Sequence, residues 1–172
     1  MGLHAEYTSN EGLVRQIAGA AAEEKLIVHT HISETESEHA ECKTRHDGRT
    51  VVRYFADCGL FKSQVNAAHC VYIEDEDIEI MKEAGANVVH NPSSNLKLGS
   101  GIAPVKDYLG KGLKVALGTD GASSNNNINM FEEMHLAAMI SRGITRDANA
   151  ISAADILKMA SYDGAMAQGR TD

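Results

Sequence analysis

Histidine and carboxylate side chains follow an apolar run in the first part of the chain. Residues 26–36 read L-I-V-H-T-H-I-S-E-T-E, and the apolar start predicts a strand that is covered on both faces. Alternate side chains of a strand share a face, so we expect His29 and His31 to point the same way. Glu34 follows His31 by three residues, close enough for a loop to fold its carboxylate over the imidazole. These residue types can ligate a metal ion or transfer protons.

Reactive side chains also end the other segments that predict strands. Histidine or aspartate comes at or just after the end of residues 1–5 (His4), 64–70 (His69), 87–90 (His90) and 113–117 (Asp120). The carboxyl ends of parallel strands meet at one edge of a sheet, where α/β proteins place their sites. We therefore expect His31, His69 and Asp120 to converge in one pocket at that edge.

Helical patterns separate the predicted strands. They cover residues 13–22, 36–45, 50–58, 74–84, a short segment from Pro104, 129–141 and a last helix capped by Ser152 and Asp155. Thr8 and Glu11 have the spacing of a capping box, and residues 91–101 and 118–127 predict polar loops. Strands that alternate with helices, without hairpin signals, indicate an α/β fold with a parallel sheet and helical crossovers. A (β/α)₈ barrel has this pattern but typically needs about 250 residues, so the chain supplies about half of one.

The composition excludes several classes of partner. The formal net charge of −8 argues against binding to nucleic acids or anionic membranes, because both need basic surface. No apolar run approaches the roughly 18 residues of a membrane span, and no signal peptide opens the chain. Cys42, Cys58 and Cys70 lack C-x-x-C spacing, so reduced thiols are expected. We therefore expect a cytoplasmic protein with no nucleic-acid or membrane partner.

Four motifs, taken together and in this order, resemble the amidohydrolase superfamily. They are V-H-T-H-I-S-E-T-E, A-A-H-C-V, H-N-P-S-S-N-L-K-L-G-S-G-I-A-P-V and L-G-T-D-G-A-S-S-N-N. The most similar branch holds S-adenosylhomocysteine/methylthioadenosine deaminases, guanine deaminase and chlorohydrolase-type enzymes. The resemblance implies that residues 1–172 form a single incomplete domain, the C-terminal half of a TIM (β/α)₈ barrel. The N-terminal strands with the family's H-x-H motif and its small β-sandwich are absent from the sequence.

The resemblance assigns roles to the residues at the strand ends. His31 matches the metal-binding histidine of the fifth barrel strand, and Glu34 matches the proton-shuttling glutamate that follows it. His69 matches a histidine that contacts the activated water in mononuclear members and a second metal in binuclear ones. Asp120 matches the aspartate that binds the metal and accepts a proton from the water. The implied cofactor is one divalent metal, zinc first, with iron or manganese as substitutes.

The resemblance also implies substrate contacts. His4 resembles a fourth-strand histidine that touches substrate, although Leu3 and Glu6 depart from the familiar P-H-A-P-Y-T. Ser94 and Asn95 belong to a loop that lines the substrate pocket in relatives. The implied reaction is hydrolytic deamination of an aminopurine or related amino-heterocycle, a small-molecule substrate.

Four alternatives stay open at the level of sequence. His29 and His31 have the spacing of the missing H-x-H pair, although Glu34 favours the fifth-strand assignment, and the role of His90 is undecided. A binuclear amide or lactam hydrolase or a chlorohydrolase is the second candidate chemistry, although no bridging lysine lies near His4. The chain could also be a non-catalytic, self-associating half-barrel.

The incomplete barrel leads to two further expectations. With few matched ligands, we expect weak metal binding and little or no deaminase activity from this chain alone. Cutting a barrel exposes its interior, so we expect the apolar strand residues Ile27, Val65, Ala67 and Val115 to lie uncovered. A homodimer or higher assembly is then predicted, because such patches usually mark association. His39, His46 and His135 are predicted to be solvated.

Overall fold

The sheet has four parallel strands in the order in which they occur along the chain. The computed structural model describes residues 1–170. The strands are β1 (Val28–Ile32), β2 (Val65–His69), β3 (Asn87–His90) and β4 (Lys114–Leu117). Residues 1–4 run beside β1, with a parallel bridge between Gly2 and His29 and a backbone bond from Leu3 N to His29 O. The predicted parallel α/β architecture is confirmed, and the sheet is part of a barrel.

Helices connect the strands and follow the last of them. They are α1 (Glu11–Glu23), α2 (Glu36–Arg45), α3 (Val51–Asp57), α4 (Asp75–Glu83), α5 (Pro92–Lys97), α6 (Val105–Gly110), α7 (Ala122–Asn125), α8 (Met130–Thr145), α9 (Ala153–Ala160) and α10 (Tyr162–Ala167), with 3-10 turns at Glu6–Thr8 and Leu60–Lys62. Within residues 1–170, none of these helices has the length and apolar character that crossing a bilayer requires.

The start of α1 differs from the predicted capping box. Asn10 is the N-cap, and its side chain accepts a hydrogen bond from Leu13 N at 3.0 Å. Thr8 cannot take that place, because it lies in the preceding 3-10 turn and its hydroxyl contacts His4 Nδ1 at 2.7 Å. The box predicted for Ser152 and Asp155 is present at the start of α9.

Two segments predicted as loops contain short helices. Residues 92–97 form α5, with Pro92 at the first helical position, where its missing N–H costs nothing. Residues 122–125 form α7. The predicted last helix is divided, because Ser161 leaves helical geometry (φ −124°, ψ −82°) between α9 and α10.

The apolar face of the sheet is covered, contrary to the prediction. Val65, Ala67 and Val115 are fully buried in the hydrophobic core, and only Ile27 is partly exposed. Strand side chains alternate between faces, so these residues point away from the open face. The open face instead carries His29, Asn66, Ala68 and Val89. A surface of mixed polar and apolar side chains therefore stands where an apolar one was expected.

The C-terminal end of α10 is hydrogen-bonded to side chains at the open face of the sheet. The Gln64 side-chain amide donates to Met166 O and Ala167 O, and Asn66 Nδ2 donates to Ala167 O at 2.8 Å. Asn87 Nδ2 in turn donates to Asn66 Oδ1 at 2.9 Å. The last carbonyls of a helix have no partner within the helix, so these amides cap α10 and hold it across the strands.

Candidate active site

Three potential metal ligands converge at the carboxyl edge of the sheet. His31 lies near the end of β1, His69 ends β2 and Asp120 follows β4. One ligand atom from each residue lies within 4.8 Å of the others. The rings of His31 and His69 stack with centroids 5.4 Å apart. The structure thus brings together the three residues that were expected to share a pocket.

Hydrogen bonds determine which nitrogen each histidine offers. His31 Nδ1 lies 2.6 Å from His4 O, and His69 Nδ1 lies 2.7 Å from Asn95 Oδ1. Both partners are oxygens that accept, so each Nδ1 carries the proton. Each Nε2 therefore keeps its lone pair, the arrangement usual for histidines that ligate metals.

Asp120 is held through one of its two carboxylate oxygens. Ser94 Oγ and Ser124 Oγ both donate to Oδ2, at 2.6 and 2.7 Å. Burial by itself raises the pKa of Asp120, but hydrogen bonds from the two serine hydroxyls and the Gly121 N–H hold that pKa below its usual value. No side-chain hydrogen bond within residues 1–170 reaches Oδ1. The lowered pKa keeps Asp120 ionised at neutral pH, and Oδ1 is the oxygen that neither serine occupies.

These donors fit a divalent metal ion. Two neutral imidazole nitrogens and one carboxylate oxygen are typical of zinc sites, and iron and manganese accept the same ligand types. His31, His69 and Asp120 are the residues that would hold or face the ion. The second group of potential ligands within residues 1–170 is Glu6, Cys42 and His46; its Glu6 carboxylate already pairs with Arg45.

Glu34 stands at the edge of the cluster. Its Oε2 lies 3.7 Å from His69 Nε2, and Ser100 Oγ donates to its Oε1 at 2.9 Å. The buried carboxylate of Glu38 accepts the backbone N–H groups of Ser33 and Glu34, at 3.1 and 2.7 Å, and so fixes the loop. Ser100 and Glu38 were missed by the sequence reasoning. The T-x-x-E spacing of Thr35 and Glu38 was the available signal for Glu38.

The predicted substrate residues lie at the same place. The exposed ring of His4 is edge-on to His31, with centroids 4.9 Å apart. Ser94 and Asn95 are buried, and their side-chain oxygens are already engaged with Asp120 and His69. The structure therefore shows Ser94 and Asn95 supporting two cluster residues, while direct substrate contact by them stays a prediction.

The other histidines of the open alternatives lie outside the cluster. His29 is exposed on the open face, so only one member of the His29–His31 pair joins the candidate ligands. His90 is buried, and its Nδ1 has no hydrogen-bonding partner within residues 1–170. Burial, with a smaller effect of His69, lowers the pKa of His90 to about 4, so the ring is neutral.

A groove of about 360 Å³ leads to the cluster over the open face. His31 and Asp120 line one end, and Asn91 and Gly118 lie beside them. A Cβ atom at Gly118 would collide with Asn91 Oδ1 and lie 2.7 Å from Val89 Cγ1. Glycine at position 118 therefore makes room for the Asn91 amide at the groove wall.

Gly118→Ala is expected to destabilise the fold by about 1–3 kcal/mol, because the new methyl group overpacks a tight site. Urea unfolding measures the loss. Gly143→Ala on α8 is the matched control, since a Cβ atom there has no neighbour within 4 Å. That control is expected to stabilise α8 by up to about 1 kcal/mol. Equal unfolding midpoints for the two variants would contradict the crowding at Gly118.

A buried ion pair anchors the segment that carries His4. Glu6 is 3% exposed and accepts hydrogen bonds from Arg45 Nε at 3.2 Å, Arg45 Nη2 at 2.5 Å and His46 Nε2 at 2.7 Å. The His46 ring also stacks on Tyr54 with centroids 3.8 Å apart. The prediction that His46 is solvated is therefore wrong, and so is that for His39, which contacts Glu74 at 3.1 Å.

Arg45→Met is expected to destabilise the protein by about 2 kcal/mol at pH 7, because the buried Glu6 charge loses its main partner. This is below the value for a fully buried pair, since the Arg45 side chain is 37% exposed. Burial raises the pKa of Glu6, and bonds from Arg45 and His46 more than reverse this. Without Arg45 that pKa rises, so the penalty is present at neutral pH and shrinks on acidification.

Urea unfolding of both proteins at pH 7 and at about pH 5 measures this difference. Arg49→Met is the control, because Arg49 and its partner Asp57 are both about half exposed. The control is expected to cost less than about 1 kcal/mol. A pH-independent loss in Arg45→Met would contradict the assignment to Glu6.

Comparisons with known proteins agree with this geometry. The amidohydrolase family matches residues 1–172. The 5-methylthioadenosine/S-adenosylhomocysteine deaminase of Thermoanaerobacter pseudethanolicus is 47% identical over 167 residues, 97% of this chain and 38% of that protein. The 5'-deoxyadenosine deaminase of Methanothermobacter thermautotrophicus is 43% identical over 169 residues, 98% of this chain and 39% of that protein.

Solved structures give the same result. An adenosine deaminase from Xanthomonas campestris with bound zinc superposes with a TM-score of 0.91 and 34% identity, covering 98% of this chain and 38% of that one. The chain thus spans well under half the length of the relatives it matches. Because the family matches along the whole sequence, the chain belongs to the amidohydrolase family.

Proposed function

We propose that this chain carries the acid–base half of a metal-dependent hydrolytic deaminase that acts on an aminopurine. The observation that carries the proposal is the convergence of His31, His69 and Asp120 with Glu34 beside them. The names of the relatives support the substrate class, a 5'-substituted adenosine. Zinc is the proposed metal, since one structural relative contains it.

The side chains divide the chemistry between them. His31 and Asp120 would hold a divalent metal ion, which would supply the acidity that makes water nucleophilic near neutral pH. Asp120 Oδ1, the oxygen that neither serine occupies, accepts the proton that the attacking water loses. His69 Nε2 accepts a hydrogen bond from the water and orients it towards the amino-bearing ring carbon.

Glu34 is the general acid for the ring nitrogen of the substrate. It carries a proton on Oε2 and donates it to the ring nitrogen beside the carbon under attack, while Ser100 holds Oε1. The proton that Asp120 took from the water then passes to the exocyclic amino group, so the carbon–nitrogen bond breaks and ammonia leaves. The hydroxyl proton of the attacked carbon returns to Glu34 as the ring carbonyl forms. His4, with its exposed ring at the mouth of the cluster, contacts the substrate.

The small number of metal ligands also supports the expectation that the isolated chain has little activity. With His69 orienting the water, His31 and Asp120 are two protein ligands, fewer than the three or four that zinc sites use. We propose that residues 1–172 are one incomplete barrel domain whose remaining ligands belong to other strands. Metal binding by this chain alone is then weak.

A chimera tests the function directly. This chain replaces the matching segment of the Thermoanaerobacter pseudethanolicus deaminase, which supplies the remaining strands. The purified, zinc-loaded chimera is expected to release ammonia from 5'-methylthioadenosine, and the isolated chain to release little or none. A chimera that folds and holds zinc but has no activity on any 5'-substituted adenosine would contradict the proposal.

Self-association is still a prediction, but a different surface now motivates it. The apolar interior that motivated it is covered, but two apolar side chains of α8 are exposed, Phe131 at 81% and Met139 at 52%. Sedimentation at micromolar concentration is expected to give at least the mass of a dimer. A well-folded species with the mass of one chain would contradict it.

A further inference from the structure

Glu133 is a fully buried carboxylate in the first turn of α8. Within residues 1–170, neither of its oxygens pairs with a lysine, arginine or histidine. Instead, Oε2 accepts Ser93 N at 3.1 Å, and Oε1 accepts Asn125 Nδ2 at 2.6 Å. Burying an ionisable group away from any counter-charge costs free energy. The presence of a carboxylate at this buried position therefore needs an explanation, and we look for it in the two groups that it binds.

Each bond holds one segment that contacts Asp120. Ser93 is at the start of α5, whose N-cap Asn91 makes no side-chain cap, so Glu133 supplies the missing acceptor. The next residue, Ser94, donates to Asp120 Oδ2. One end of the Asp120 clamp is therefore fixed to α8.

The second bond holds the loop that contains Asp120 itself. Asn125 Nδ2 donates to Thr119 O at 2.7 Å as well as to Glu133, and so closes residues 119–125 into a ring. Ser124 within this ring is the second donor to Asp120 Oδ2. Asp120 has a φ of +58°, a conformation that a side-chain-bearing residue adopts only when its surroundings impose it.

We propose that Glu133 is a positioning residue that fixes both serine-bearing segments, so that Ser94 and Ser124 bind one oxygen of Asp120 and leave the other free. The proposal rests on the metal-dependent function proposed above. It adds a residue outside the four motifs to the machinery, acting through Ser94 and Ser124 rather than on the metal or substrate.

Glu133→Gln tests the proposal with little change in volume. The glutamine amide keeps one oxygen that accepts a hydrogen bond, but its NH2 group faces a second donor, either Asn125 Nδ2 or Ser93 N–H. One of the two hydrogen bonds made by Glu133 is therefore lost. Glu132→Gln is the matched control, because Glu132 is the exposed neighbour on α8 and the charge change is the same. The readouts are the ¹³Cγ resonance of Asp120 in the metal-free chain and Co²⁺ affinity from visible absorption.

Glu133→Gln is expected to shift the Asp120 ¹³Cγ resonance and to weaken Co²⁺ binding roughly 10-fold, the usual effect of removing a group behind a ligand. Glu132→Gln is expected to change the affinity less than about twofold. In a Ser94→Ala/Ser124→Ala background, Glu133→Gln should add almost nothing, because its route to Asp120 is gone.

Two results would overturn the proposal. One is an Asp120 resonance in Glu133→Gln equal to that in Glu132→Gln. The other is a full loss of Co²⁺ affinity in the background without the serines, which would mean that Glu133 acts on general stability alone. Absence of Co²⁺ binding by the unsubstituted chain would instead count against the proposed function, and the resonance would still decide the role of Glu133.

Discussion

Glu34→Gln in the chimera is expected to lower kcat for 5'-methylthioadenosine by at least about 100-fold, within the range for loss of a general acid. Glutamine keeps the size of the side chain and can still accept from Ser100 Oγ, which now binds Oε1 at 2.9 Å. It cannot carry a proton from the cluster to the ring nitrogen. KM and bound zinc should therefore change little, since neither depends on that proton.

Steady-state kinetics and zinc content of the purified variant measure both parts of this prediction. Glu36→Gln is the control, because Glu36 is exposed in the first turn of α2 and its substitution removes the same charge close to Glu34. Its kcat should stay within about twofold of the chimera. A Glu34→Gln protein that loses zinc in proportion to activity would place Glu34 in metal binding rather than proton transfer.

The convergence of the site could be predicted because it depends on local pattern. Apolar runs followed by His31, His69 and Asp120 define strand ends, and parallel strands bring their ends to one edge. The order of the strands along the chain then follows from short crossovers. No contact between distant residues had to be known for this step.

The faces of the sheet could not be predicted in the same way. In β2 every residue is apolar or small except Asn66 and the terminal histidine, so alternation gives no clear polar side. Val65 and Ala67 were therefore placed on the open face, whereas the structure buries them under helices. The amide chain from Asn87 through Asn66 to Ala167 depends on α10, about 100 positions later in the sequence.

The residues that hold the site in place could not be predicted from the sequence either. Glu38, Ser124 and Glu133 look like ordinary helix-start or loop residues, types that are common at such positions. Their function depends on which backbone N–H or carboxylate oxygen they meet in the folded chain. Pattern reasoning thus finds the groups that do chemistry more easily than the groups that orient them.

Asp120→Asn is expected to weaken zinc binding to the chimera by at least about 100-fold, more than loss of a group behind a ligand, because it removes a charged ligand itself. Asparagine can still accept the Ser94 and Ser124 hydroxyls through its oxygen, so the loop should keep its conformation. Its amide nitrogen then takes the place of Oδ1, and it offers hydrogens where the carboxylate offered a lone pair.

Zinc affinity in metal-ion buffers, together with urea unfolding of the metal-free protein, separates ligand loss from unfolding. Asp107→Asn, at an exposed position on α6, should leave the affinity unchanged. Glu34→Gln should also leave it unchanged, so that of the two carboxylates only that of Asp120 contributes to zinc affinity. Equal zinc affinity in Asp120→Asn and the chimera would mean that the free Oδ1 is not a ligand, and the role of Asp120 would then be confined to accepting the proton of water.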